Sequence, residues 1–335
     1  MIGLIVRRLI QMPIILLVIY TFTLTLAWAI PGNPLENPEG RRPKPEVEEA
    51  MKAQYNLDSF PKFYFSYLYN LTGLKYGIEK VDGTIAKENK AAEEAGLEPR
   101  PRYIFDMGPA LFYEDWRVNE VISDSLPVSI TLGTLAILIA LVIGLVAGVV
   151  GAIKPNSFAD ISTLVVALVG ISLPSFVIGT LLLLVFGVWM TVLPVGGWGS
   201  LPKTILPAVT LSLPFAAYIA RLTRMGMLDV LGADYIRTAR AKGVAESRVL
   251  IKHALKNAFL PVLSYLGPAS ALAMTGSFVV ERVFSVPGMG QHFVNGVQNK
   301  DLSLIIGVVL IFATMLILFN LAVDVLYRWI DPRIA

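Results

Sequence analysis

Apolar residues gather into six long runs along the chain, at 9–30, 128–153, 161–188, 205–220, 259–280 and 302–326. Most reach about 20 residues, the length that crosses ~30 Å of hydrocarbon. Such runs in lipid are helical, because the backbone has no other hydrogen-bond partners there. Pro174 in the third run and Pro268 in the fifth each remove a backbone bond and allow the helix to bend. Between the fourth and fifth runs the pattern changes. Ile236, Ala239 and Gly243 recur at i, i+3, i+7 and make one small, smooth helix face, with Arg237 and Arg240 on another. Gly243 ends or turns that helix. A second stripe follows, of Leu250, Ile251, Ala254, Leu255, Ala258 and Phe259, backed by a basic row of Arg248, Lys252 and Lys256. The pattern predicts two helices with a bend, the first across the membrane surface and the second feeding the fifth span.

The stretch 31–126 lacks long apolar runs. It opens Pro-rich (PGNPLENPEGRRPKP), then reads as a short amphipathic helix over 46–55. Phe60, Phe63, Tyr64, Phe65, Tyr67, Tyr69 and Tyr76 follow, an aromatic cluster suited to a small packed element at a membrane surface. A folded cap and a docking surface for an external partner both fit. The first run has features of a signal peptide, with Arg7 and Arg8 before it and Ala27-Trp28-Ala29 at its end. Its length favours a retained span.

Composition strengthens the membrane reading. Of 335 residues 55% are hydrophobic and 16% charged, where soluble domains carry about 25% charged residues. Mean hydropathy is +0.65. A net charge of +3 gives no pointer to nucleic acid. Absent cysteine excludes disulfides and thiolate metal sites, and two distant histidines, His253 and His292, argue against a metal centre. Six spans put Arg7, Arg8, Lys154, Arg221, Arg224, the 237–256 basic cluster, Arg328 and Arg333 on one side. The positive-inside rule makes that side cytoplasmic, both termini included. Arg282 and Lys300 depart from the rule. The 31–126 insert then lies outside, with 17 Asp/Glu against 12 Lys/Arg.

No Gly-x-x-x-x-Gly-Lys-Ser/Thr is present to cradle ATP phosphates, and no Ser/His/Asp set is credible. The chain reads as a non-catalytic translocation subunit, driven by other subunits or by an ion gradient. An ion-driven carrier needs ionisable groups deep in its spans. Only Glu281 and Asp324 approach that, and they read as interfacial pairs with Arg282 and Arg328. Ser172 and Ser175 in the third span, and Ser264, Ser270, Thr275 and Ser277 in the fifth, are candidates for a weakly polar path. Ordinary small-residue packing explains them equally well. The 234–262 segment likewise admits two readings, an amphipathic helix on anionic membrane lipids or a helix docked in a groove of a cytoplasmic partner.

"DYIRTARAKG" followed by "LIKHALKNAFLPV" resembles the cytoplasmic loop of ABC-importer permeases, in the form used by the dipeptide/oligopeptide/nickel branch. Of the general Glu-Ala-Ala, three residues, Gly, nine residues, Ile-x-Leu-Pro pattern only Ala239, Gly243 and Leu255 match. "VERVFSVPGMGQ" resembles that branch's loop after span five, with Glu281, Phe284, Pro287 and Gly288 at its marked positions, and "DPR" (331–333) resembles its C-terminal tag. The likeness is to the B-type permease subunit. It implies an all-α polytopic membrane protein with the six-helix ABC type I importer permease fold and a large extracytoplasmic insert. The parts would be 1–30 (N-terminus and first span), 31–126 (insert) and 127–335 (permease core), with a cytoplasmic coupling loop at 221–258. Tyr235, Ile236, Arg237, Thr238, Ala239, Arg240, Ala241, Lys242 and Gly243 would contact an ATPase. The implied partners are a second homologous permease, two ABC ATPase subunits that hold the ATP and Mg, and an external solute-binding protein, in a prokaryotic inner membrane. The implied solute is a di- or oligopeptide, with oligosaccharides and nickel complexes as alternatives.

Overall fold

The computed structural model describes residues 2–36, 44–96, 101–113, 115–275 and 277–330. The "DPR" tail, Arg333 included, lies outside the described residues. The chain forms α1 (Ile2–Ala29), α2 (Pro45–Gln54), α3 (Phe60–Leu71), α4 (Leu74–Val81) and α5 (Thr84–Glu94). Then come α6 (Val118–Ile153), α7 (Phe158–Ser172), α8 (Ser175–Leu182), α9 (Leu201–Leu231) and α10 (Asp234–Ala241). After a run of short helical turns follow α11 (Leu260–Met274), α12 (Phe278–Val283), α13 (Met289–Gln298) and α14 (Leu302–Ile330). No strand occurs among the described residues beyond one isolated bridge, Pro109 to Arg117.

Four helices are long and apolar enough to cross a membrane: Ile5–Ala29, Val118–Ile153, Leu201–Leu231 and Leu302–Arg328. The third expected span is not straight. Its halves, Phe158–Ser172 and Ser175–Trp189, meet at 108° and make a fifth span only if counted together. Pro174 is the cause: it pushes Leu173 into an extended conformation (ψ 133°), which no α-helix tolerates. The helix after it continues as a π-helix over Leu183–Trp189. The fifth expected span is a helix of 15 residues. That length rises about 22 Å, short of the ~30 Å hydrocarbon core.

The described chain divides into two units. The first holds 1–12, 125–291 and 312–335. Its long helices approach closely through small residues. A Cβ on Gly144 would lie 2.7 Å from the Ile219 side chain, and one on Gly148 2.5 Å from Thr223 Cβ. This Gly-x-x-x-Gly face of α6 therefore brings its backbone against α9, as van der Waals packing between membrane helices requires. An ion pair adds to the α7–α9 contact. Arg224 donates through Nε and Nη2 to Asp160 at 2.5 and 2.7 Å. Asp160 is 1% exposed and also accepts from the Asn156 N–H.

The second unit holds 13–124 and 292–311. Its core joins Tyr20 and Leu24 of α1, Phe63 and Tyr67 of α3, and Leu302 and Ile306 of α14. The expected aromatic cluster forms it: Tyr20 stacks on Tyr67 at 5.9 Å, and Trp28 meets Phe60 edge-on at 5.6 Å. Phe65 and Tyr69 face outward. Asp301, fully buried, caps α14 by accepting from Leu304 N–H and fixes the 111–112 loop through two further backbone N–H groups.

Candidate functional site

α9 ends at Leu231, and after Gly232 and Ala233 the chain restarts as the eight-residue α10. One side chain anchors α10. Ile236 is fully buried against Ala152, Met227, Val249, Ala254 and Ala258, a burial that contributes about 1.5–3 kcal/mol. Ala239 packs against the same cluster. The smooth stripe expected for a partner thus faces the chain's own core at Ile236 and Ala239. Helical periodicity marks the face that is buried and does not say against what. Tyr235, Arg237, Thr238, Arg240, Ala241, Lys242 and Gly243 are the exposed positions.

Gly243 closes the helix. With φ +74° it adopts the left-handed conformation, and a Cβ there would meet nothing within 4 Å. Its N–H donates to Arg240 O, and Val244 N–H donates to Ala239 O. This pairing satisfies the last carbonyls of α10, and glycine is the residue that adopts the needed φ without steric cost. Across the turn Arg240 donates to both oxygens of Glu246, at 3.1 and 2.6 Å. The guanidinium holds the Glu246 carboxyl below its ordinary range. Arg237 lies 3.5 Å from Asp234. Arg237 and Arg240, expected among the residues that contact an ATPase, are each paired with an acidic group of the chain itself. Lys242 has no ion pair among the described residues.

The second expected helix exists with a changed register. Val249–Leu255 is π-helical, and hydrogen bonds run i to i+5 in a π-helix. Residues five apart therefore share a face: Val249 and Ala254 are buried, while Ile251, assigned to the apolar stripe, is 68% exposed. Lys252 and Lys256 stay exposed beside it.

The loop after α11 is built in the opposite way. Glu281 on α12 is fully buried and has no ion pair among the described residues. Its Oε1 accepts from Ser129 Oγ at 3.1 Å, and its Oε2 accepts from Gln291 N–H at 3.3 Å. Ser129 Oγ in turn accepts from Met289 N–H at 2.8 Å. Gly288 lies so close that a Cβ would come within 2.3 Å of the carboxylate. Phe284 is buried with Val280 and Val286 against Leu132, Leu206 and Leu211, and its carbonyl accepts from Gly197 N–H at 2.8 Å. Pro287 is exposed. The expected interfacial pairs are therefore corrected. Arg282 points away to solvent-exposed surface while Glu281 turns inward, because successive helical residues point about 100° apart. Asp324 pairs with Arg8 of α1 at 2.8 Å and not with Arg328.

The six candidate path residues do not form one set. Ser264 is exposed on α11 in line with Pro268 and Leu272, a stripe at i, i+4, i+8. Ser172 is exposed at the end of α7, and Ser175 and Ser270 are half-buried. Thr275 is buried and donates to Leu272 O, while Ser277 caps α12 by accepting from Val280 N–H. Asp160 and Arg224 escaped the sequence reading as a pair. The Ser157-x-x-Asp160 spacing at a helix start was the available signal, and Ser157 does cap α7.

Residues 127–335 match the family described as the binding-protein-dependent transport system inner membrane component, and residues 1–82 match the N-terminal part of such membrane components. The chain is 40% identical over 337 residues to the oligopeptide transport system permease protein OppB of Salmonella typhimurium, covering 100% of this chain and 99% of that protein. It is 36% identical over 329 residues to the dipeptide transport system permease protein DppB of Bacillus subtilis, covering 98% and 96%. A structure of the inward-facing MetNI methionine ABC transporter matches with a TM-score of 0.53, at 17% identity, over 64% of this chain and 97% of that one. That likeness bears on fold alone. With these matches added to the all-helical, multi-span architecture, the chain belongs to the family of binding-protein-dependent transport system inner membrane components.

Proposed function

We propose that the chain is a permease subunit of an ATP-driven importer of di- and oligopeptides. It pairs with a second, homologous permease and docks on two ATPase subunits through α10. It receives solute from an external binding protein. Both termini and the 221–258 loop lie in the cytoplasm, and the 31–126 insert lies outside as a part distinct from the 127–335 core. ATP-driven closure of the ATPases pushes α10, and the spans swing from inward- to outward-facing. α11 offers the path its exposed Ser264 stripe.

The observation that carries this reading is the build of α10, a short helix anchored by the buried Ile236, with its remaining face open and Lys242 free of ion pairs among the described residues. A helix anchored on one side and open on the other transmits a push. The solute class rests on the full-length likeness to oligopeptide and dipeptide permeases. An ion-driven carrier is disfavoured because Glu281 and Asp324 are both engaged within the chain.

Purification of the tagged chain from its native membrane in gentle detergent, with mass spectrometry of co-purifying proteins, tests the proposal. Two Walker-motif ATPases, a sister permease and a peptide-loaded binding protein are expected. A chain that purifies alone, or a binding protein loaded with an oligosaccharide or a nickel complex, overturns the assembly or the solute class respectively.

A further inference from the structure

The second unit contains a groove of about 580 Å³ between α2, α3, α4 and the 106–117 loop, within the range of small-ligand sites, about 300–1,000 Å³. Its floor is aromatic, from the buried Phe63 and Tyr67. Tyr55 and Tyr69 stand at its walls with the side-chain amides of Gln54 and Asn70, and neither amide makes a hydrogen bond among the described residues.

Charge sets this groove apart from an ordinary surface fold. Lys75, Arg117 and Asp106 all line it. Asp106 is largely satisfied, by the Gly108 N–H and one Arg117 amino group. The cations keep donors to spare. Lys75 reaches Glu79 only at 4.0 Å. The Nε of Arg117 is buried and has no hydrogen-bond partner among the described residues. A buried guanidinium N–H without an acceptor is costly and is best satisfied by an anionic oxygen. Arg117 also borders the two depressions adjoining this groove.

We propose that this groove binds a short peptide with a free C-terminus, its carboxylate on Lys75 and Arg117. The inference rests on the importer reading above and deepens it, since that orientation places the groove on the outer face. Two cations against one carboxylate that is already paired suit the anionic end of a peptide. Aromatic walls and free amides suit peptide side chains and backbone. A neutral sugar leaves Lys75 with no closer anion than Glu79 at 4.0 Å. The groove gives the permease its own check on cargo, apart from the binding protein's.

The test uses the complete membrane complex in nanodiscs without its binding protein. The probe is a pool of di-, tri- and tetrapeptides with free termini, compared with the same pool amidated at the C-terminus. Saturable binding is expected, weakened about tenfold by amidation and about tenfold by Lys75→Gln or Arg117→Gln. Lys75→Gln keeps the test sound if Arg117→Gln disturbs folding, because Lys75 has only the long contact to Glu79. No saturable binding, equal binding of both pools, or unchanged binding in Lys75→Gln overturns the proposal. Import of the free peptides with the binding protein present separates the two readings. Import without groove binding removes only this site, whereas import of maltotriose and of no peptide removes the peptide reading itself.

Discussion

The stretches on either side of α11 solve their polar groups in different ways. Before it, residues 232–259 leave charged side chains on the surface and hold themselves by the buried Ile236, Val249, Ala254 and Ala258 and a glycine turn. After it, residues 277–291 bury a carboxylate and answer it with a hydroxyl and backbone N–H groups from their own unit. The first is shaped by what it leaves open, the second by what it closes. On the proposed reading, that contrast separates a surface that docks on a partner from a loop that must hold its own geometry.

The largest way to break the contrast is at the open end. Gly243→Trp places an indole on the free face at a φ that side chains rarely adopt, so ATPase activity stimulated by the loaded binding protein should fall at least about tenfold while the chain still inserts. Gly243→Ala adds only the backbone strain, about 1–2 kcal/mol, and should retain most coupling. Equal activity in all three proteins would mean that the face touches nothing.

Next in size is the α7–α9 tie. Arg224→Ala leaves Asp160 buried without its cation, a loss of about 3 kcal/mol in such pairs. Thermal unfolding should occur several degrees lower, and Asp160→Asn combined with Arg224→Gln should recover part of the loss. An unchanged midpoint in Arg224→Ala would mean that the pair adds nothing.

The closed loop gives the smaller, pH-dependent effect. Glu281 lies beyond the apolar run of the fifth span, and burial raises its carboxyl to about 7. The unfolded carboxyl titrates near 4.3. Between those values the folded chain keeps a proton that the unfolded chain has lost. The contribution is therefore present at low pH and is lost as pH rises through about 7. Thermal stability should fall with pH across that window, and Glu281→Gln should flatten the profile and still transport. A Gln variant that cannot transport would instead return Glu281 to the role of a proton relay.

Much of this was legible in the sequence. Run length gave the long helices, because lipid leaves the backbone no other choice, and the aromatics at 60–67 announced a packed element. Gly243 announced its turn. The rest depends on contacts that periodicity does not encode. The burial of Glu281 depends on Ser129, 152 residues away, and Arg8 and Asp324 are 316 residues apart. The exposure of Ile251 follows from a local switch to π hydrogen bonding, which shifts the buried face by one residue without any mark in residue type. The bend after α7 was half visible: Pro174 predicted a broken hydrogen bond, but the 108° angle comes from the extended Leu173 before it.

On the proposed function, the open face of α10 sits on an ATPase subunit. The chain has no cysteine, so Lys242→Cys gives it a single thiol without further change. A short bifunctional thiol–amine reagent applied to the assembled complex should link that thiol to an ATP-binding subunit, and more strongly with nucleotide present. A thiol that stays fully reactive in the assembled complex and links to no ATPase would mean that α10 does not dock there.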